Sequence, residues 1–170
     1  GAGSRVNRHE FVQCKFEDAG LTVSGGTFIQ GEASHVKFVA CDFANSNSSF
    51  VDIDANSFAW KFLGCSFENT EDVVAVTLSG DQCAFIGNQF KDVGSATEHI
   101  TLASGANDSV FIGNQVNDAT PLVGGTVEPT ARLYANPGYM TEYSAQAQIT
   151  SGNTTVVVTH ALDYTPQNHH

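Results

Sequence analysis

The chain has 170 residues, enough for one domain or one domain with a short appendage. Its 18 acids against 7 Lys and Arg give a formal net charge of -11, which excludes the basic footprint that a nucleic acid or an anionic membrane requires. No run of about 18 apolar residues is present to span a bilayer.

The opening Gly1-Ala2-Gly3-Ser4 lacks the charged-then-apolar pattern of a signal segment and reads as an appended scar. Charged residues are only 15%, so solubility rests on Asn, Ser, Thr and Gln. Gly is abundant and strong helix formers are sparse, whereas Val, Phe, Ile and Thr favour strands. No amphipathic stretch of helical period has useful length.

In chain order, five segments align without gaps. They begin at Phe11, Phe38, Phe62, Phe85 and Phe111, and read FVQCKF, FVACDF, FLGCSF, FIGNQF and FIGNQV. Their starts are 27, 24, 23 and 26 residues apart, a period that signifies a stacked architecture. A second short strand precedes several of them, at Val51-Asp52-Ile53, Val76-Thr77-Leu78 and Ile100-Thr101-Leu102. Short strands at this period, separated by Gly, Asn, Ser and Asp, predict an all-β parallel β-helix of about five coils over residues 5–120.

Alternation along the columns points the first Phe, the Cys/Asn position and the last Phe/Val into the coil. The position two before the first Phe (His9, Val36, Trp60, Cys83, Ser109) is mostly apolar or small and also reads inward. Layers about 4.8 Å apart then stack the Phe side chains in two columns. The predicted interior ladder is Cys14, Cys41, Cys65, Asn88 and Asn114.

The FIGNQF run and its relative at Phe111 resemble the coils of right-handed, single-stranded β-helices of the pectate-lyase type, which include bacteriophage tail spikes and fibres. The resemblance implies that Asn88 and Asn114 stack as an amide ladder, each satisfying the next. Cys14, Cys41 and Cys65 depart from that pattern. Their side chains run parallel and three in a row cannot all pair, so free thiols packed as small apolar fillers are expected. No C-x-x-C occurs, and no metal or other cofactor is expected.

Composition changes after about residue 118. All 12 Phe lie at or before Phe111, and all four Tyr lie at or after Tyr134. Residues 121–170 therefore read as a separate β-rich segment, with a turn at Asn136-Pro137-Gly138 and a strand over Thr154–Thr159. Asn136-Pro137-Gly138-Tyr139-Met140-Thr141-Glu142 resembles a segment found after β-helices in phage tail proteins and prophage-borne relatives. The run from Ser151 through His160-Ala161-Leu162 to Thr165-Pro166 resembles the strand that follows it, with Ala161 where that pattern has Gly. The resemblance implies a trimer-assembly segment, here truncated.

Catalysis on a polysaccharide would need paired carboxylates on one outer face. Asp52 and Asp54, two apart on one strand, are the best such candidates, but they are weak ones, and a solvated strand and corner accounts for them better. Asp92 and Asp118 fall in a turn column, where Asp is ordinary. Glu68 and Lys91 are expected to form an exposed pair. His160 reads as a packing or interface residue, and His9, His35 and His99 as corner residues without a role.

The column after the first Phe is Val12, Val39, Leu63, Ile86 and Ile112. It is aliphatic throughout, yet alternation turns it outward, and an unbroken apolar stripe facing water is rare in a monomer. Three parallel coils around a threefold axis would bury it. The expected function is a structural, trimer-forming segment of a phage tail spike or fibre, made in the host cytoplasm and carried on the virion, with a cell-surface glycan as receptor. The alternatives are a polysaccharide-cleaving spike enzyme and a prophage-encoded adhesin.

Overall fold

Each Phe-centred segment of the repeat is a short strand, paired in parallel with its counterpart one layer on. The computed structural model describes residues 6–17, 29–31, 33–46, 48–68, 73–91, 96–103, 106–117, 120–125 and 130–137, and all of their regular structure is strand. The first sheet stacks Glu10–Val12, Lys37–Val39, Lys61–Leu63, Ala84–Ile86, Val110–Ile112 and Arg132–Tyr134. The second stacks Lys15–Glu17, Asp42–Ala44, Ser66–Glu68, Gln89–Lys91 and Gln115–Val116. The third stacks Ile29–Gly31, Val51–Ile53, Val76–Leu78, Ile100–Leu102 and Val123–Gly125. A short ladder pairs Val6–Asn7 with Ala33–Ser34, and bridges continue it through Phe58 to Asp81. The chain is thus an all-β parallel solenoid. About four turns separate the first strand of the second or third sheet from the fifth, so the five motifs are five layers.

Register follows the sequence columns. Phe11, Phe38, Phe62, Phe85, Phe111 and Leu133 are successive partners in the first sheet. Their rings lie nearly parallel, with centroids 4.9, 4.9, 4.8 and 5.3 Å apart from Phe11 to Phe111. Phe16, Phe43, Phe67 and Phe90 form the second column at 4.8 Å intervals. From Phe38 onward the first-column rings are fully buried, and each contributes roughly 1.5–3 kcal/mol by leaving water. The third sheet has the opposite phase: in Val51–Ile53, Val76–Leu78 and Ile100–Leu102 both end residues are buried and the middle one faces out.

Two left-handed corners recur along the stack, one in five layers and the other in six. One holds Arg8, His35, Ala59, Gln82 and Asp108, the other Gln13, Ala40, Gly64, Gly87, Gly113 and Ala135, all at φ between 50° and 65°. The second corner turns the chain from the first sheet into the second. Its N–H groups still reach the layer above, from Gln13 to Val39 O at 2.9 Å and from Gly87 to Ile112 O at 2.9 Å, which offsets the strain of the turn.

Two positions differ from the sequence reading. His9 belongs to a column that is otherwise inward, yet it is exposed in the first described layers. His99 is no corner residue. It is fully buried, with its ring 5.4 Å from Phe90. It occupies the position before the third sheet that Phe50, Ala75 and Leu122 fill in other layers. There one carbonyl accepts two successive N–H groups: Ala75 O accepts those of Phe50 and Val51, and His99 O those of Ala75 and Val76. This local bulge turns two consecutive side chains inward, which simple alternation does not anticipate.

Val123–Gly125 and Arg132–Tyr134 lie beyond the change in composition, yet they pair in register with Ile100–Leu102 and Val110–Ile112. The solenoid is therefore continuous to the end of the described residues at Pro137. The strand expected at 154–159, His160, Asp92 and Asp118 lie outside the described residues. Among the described residues no helix is long and apolar enough to cross a membrane.

Candidate functional site

The outer wall of the first sheet carries the aliphatic column. Pairing makes Val12, Val39, Leu63, Ile86 and Ile112 vertical neighbours and adds Tyr134 as a sixth member. Each stands beside an inward Phe or Leu, so strand geometry requires it to point out. Val12 is 52% exposed, Ile86 41% and Tyr134 44%, while Val39, Leu63 and Ile112 are half-buried. The stripe is thus continuous across the sheet.

On one side of the stripe stands the column Glu10, Lys37, Lys61, Ala84, Val110 and Arg132. On the other, across the left-handed corner, stand Lys15, Asp42, Ser66, Gln89 and Gln115. Lys37 Nζ lies 2.8 Å from Glu10, and Lys91 Nζ lies 2.6 Å from Glu68, the pair expected from the sequence. All are partly exposed, so each pair is worth under about 1 kcal/mol.

Inside the same corner runs the ladder. Asn88 and Asn114 hold the buried position after the turn, and Asn136 adds a third amide rung. Each side-chain oxygen accepts the backbone N–H of the rung below: Cys65 to Asn88 at 2.8 Å, Asn88 to Asn114 at 3.0 Å, and Asn114 to Asn136 at 2.9 Å. Each Nδ2 donates to the carbonyl of a Phe one layer below: Phe62, Phe85 and Phe111, at 3.0, 2.9 and 3.0 Å. Asn136 was read from the sequence as part of a turn. The signal that could have placed it was its spacing of 22 residues from Asn114.

Cys14, Cys41 and Cys65 occupy the lower rungs, and all four cysteines are free thiols. Cys41 Sγ lies 3.4 Å from Phe11 O and 3.5 Å from Val39 O, weak contacts in place of amide bonds. Burial pushes the Cys65 thiol up to about 11 and the Cys83 thiol up to about 12, so neither is a nucleophile near neutral pH. Cys14, at the lower end, is half-exposed.

The weak catalytic candidates lie on the third sheet. Asp52 is in register with Thr77 and, one layer further, Thr101, and turns outward between buried Val51 and Ile53. Asp54 is exposed just beyond the strand, where its carbonyl accepts the Ser57 N–H at 2.9 Å. Sequence reasoning passed over Glu98 on this face. Glu98 accepts the Thr101 hydroxyl at 2.6 Å, and its carboxyl folds over Gly124, where a Cβ would come within 2.7 Å of Glu98 Cδ. Among the described residues no three His, Cys, Asp or Glu side chains converge to hold a metal ion.

No protein-family model, no curated protein and no solved structure matches the chain.

Proposed function

We propose that this chain is the trimer-forming β-solenoid segment of a phage tail spike or fibre, a structural element that meets a host-surface glycan without cleaving it. The observation that carries the reading is the outward stripe from Val12 to Tyr134. Six successive layers place an apolar side chain on the water side of one sheet. A surface of that extent is what an obligate partner covers. The spike-like assembly is supported by the resemblance of the FIGNQF layers. The third sheet's outward Thr77 and Thr101 hydroxyls, beside Glu98, suit hydrogen bonding to a sugar.

The test is the solution mass by light scattering after size exclusion, for the chain and for Ile86→Lys. The expected result is about three chain masses, falling to one in the variant, because a lysine at a buried seam is left unpaired. A monomeric unmodified chain removes the reading. Added host capsule or lipopolysaccharide is expected to bind without release of reducing sugar; release abolished by Asp52→Asn with Asp54→Asn would establish the enzyme instead.

A further inference from the structure

We propose that neighbouring copies of this chain stand parallel and level, so that the column preceding the apolar stripe in one copy faces the column following it in the next. This arrangement rests on the trimer reading and specifies its seam.

The charges argue for it layer by layer. In the first layer the preceding column carries Glu10 and the following column Lys15. In the second they carry Lys37 and Asp42. In the third they carry Lys61 and Ser66, with Glu68 two residues further along the same strand. In the next two layers the columns hold Ala84 against Gln89 and Val110 against Gln115, uncharged on both sides. Opposite signs thus share a level in the first two layers, beside the in-chain pairs Lys37–Glu10 and Lys15–Glu17, Lys61 stands level with neutral Ser66, and the next two layers are neutral on both sides. Rotation about an axis parallel to the solenoid brings one copy's preceding column to the next copy's following column, a heterologous contact that closes into a ring. A slip of one layer sets Lys37 against Lys15, or Glu10 against Asp42, and each like-charge contact penalises the wrong register.

The corner between the stripe and the following column fits the same contact. It is glycine in three central layers, at Gly64, Gly87 and Gly113, where a Cβ would meet nothing within 4 Å. Glycine is not obligatory for this backbone, because the other corner adopts the same φ range with Arg8, His35, Ala59, Gln82 and Asp108. Bare backbone therefore lies beside the apolar stripe, and a neighbouring wall can approach closely there.

The experiment is a charge swap read by sedimentation and light scattering over a concentration series. Lys37→Glu and Asp42→Lys are made singly and together, with Lys37→Gln and Asp42→Asn as neutral variants in case reversal beside Glu10 perturbs the fold. Thermal unfolding of each variant controls for stability. Within one chain Lys37 and Asp42 stand on opposite sides of the stripe, so rescue reports contact between copies. Each reversal is expected to weaken assembly on the order of 10-fold, each neutral variant less, and the double swap is expected to restore it to within about threefold. An unmodified trimer whose double swap assembles no better than the product of the two singles overturns this arrangement and leaves the trimer reading standing. An unmodified chain that stays monomeric overturns both.

Discussion

The side-chain oxygen of Asn114 receives both donors that Asn88 turns toward it, the backbone N–H at 3.0 Å and Nδ2 at 2.9 Å. A left-handed corner bends the chain just before each rung, and the rung's N–H then meets a side-chain amide of the next layer rather than a backbone carbonyl. Asn114 passes the pattern on, donating to Phe85 O at 2.9 Å and to Asn136 Oδ1 at 3.0 Å. One fully buried side chain thereby joins its own layer, that of Phe111, to the layer of Phe85 below and the layer of Asn136 above.

Asn114→Ala removes an acceptor from two buried donors and a donor from two buried acceptors. Leaving buried groups unsatisfied costs about 1–3 kcal/mol each, and partial relaxation brings the expected loss to roughly 3–5 kcal/mol. Asn114→Asp retains the acceptor but places a charge in the interior, and should be no better near neutral pH. Urea unfolding followed by circular dichroism measures both. A loss below about 1 kcal/mol for the alanine variant would show that the ladder does not join the layers.

Cys65→Asn extends the ladder downward by one rung. The new amide would sit below Asn88 as Asn88 sits below Asn114, donating to Asn88 Oδ1 and offering its own oxygen to the layer of Cys41. The column already accommodates asparagine at three successive levels. The expected gain is about 1 kcal/mol, the net worth of an added buried hydrogen bond. The unfolding midpoint reads it directly, and a clear loss of stability would mean that the lower layers are too tightly packed for an amide.

Phe62 and Phe11 occupy the same column with different surroundings. Phe62 is fully buried between Phe38 at 4.9 Å and Phe85 at 4.8 Å, whereas Phe11 is half-buried and stacks upward on Phe38 alone in its column. Phe62→Ala should cost about 3–5 kcal/mol, because the layers on both sides prevent collapse of the cavity. Phe11→Ala should cost less than half of that. Equal losses would contradict the idea that a layer's stability depends on neighbours on both faces.

The Phe columns and the Asn88–Asn114 step were legible because inward positions recur with the same residue type at a nearly constant interval. Asn136 was hidden because its layer replaces Phe with Leu133 and glycine with Ala135, and because Asn-Pro-Gly is by itself a strong turn signal. The backbone accepts those exchanges: Leu133 still fills the column and Ala135 still takes φ 52°. His99 was hidden for a different reason. It and Ile100 are consecutive and both buried at the entry to the third sheet, which strict side-chain alternation does not encode. The outward stripe was legible from alternation alone, and Tyr134 joined it only once the register of the last strand was known.

Cys65 and Cys83 make the fold sensitive to alkali. Burial favours their neutral thiols and pushes them up to about 11 and about 12, above the ordinary thiol value. A group whose folded value is raised contributes fully below its unfolded value, and that contribution is lost as pH rises through the folded value. Stability should therefore be level in this respect up to about pH 9 and decline between about pH 9 and pH 12, as the unfolded chain releases thiol protons that the folded chain retains. Tyrosine and lysine also titrate in that range, so the comparison needed is with Cys83→Ala, whose alkaline decline should be shallower than that of the unmodified chain. Thiol labelling at pH 8 gives an independent reading: half-exposed Cys14 should react with the folded protein, whereas Cys65 and Cys83 should react only at the rate of unfolding. Rapid labelling of Cys83 in the folded chain would show that the interior opens locally at that layer, and the alkaline decline would then have to come from other groups.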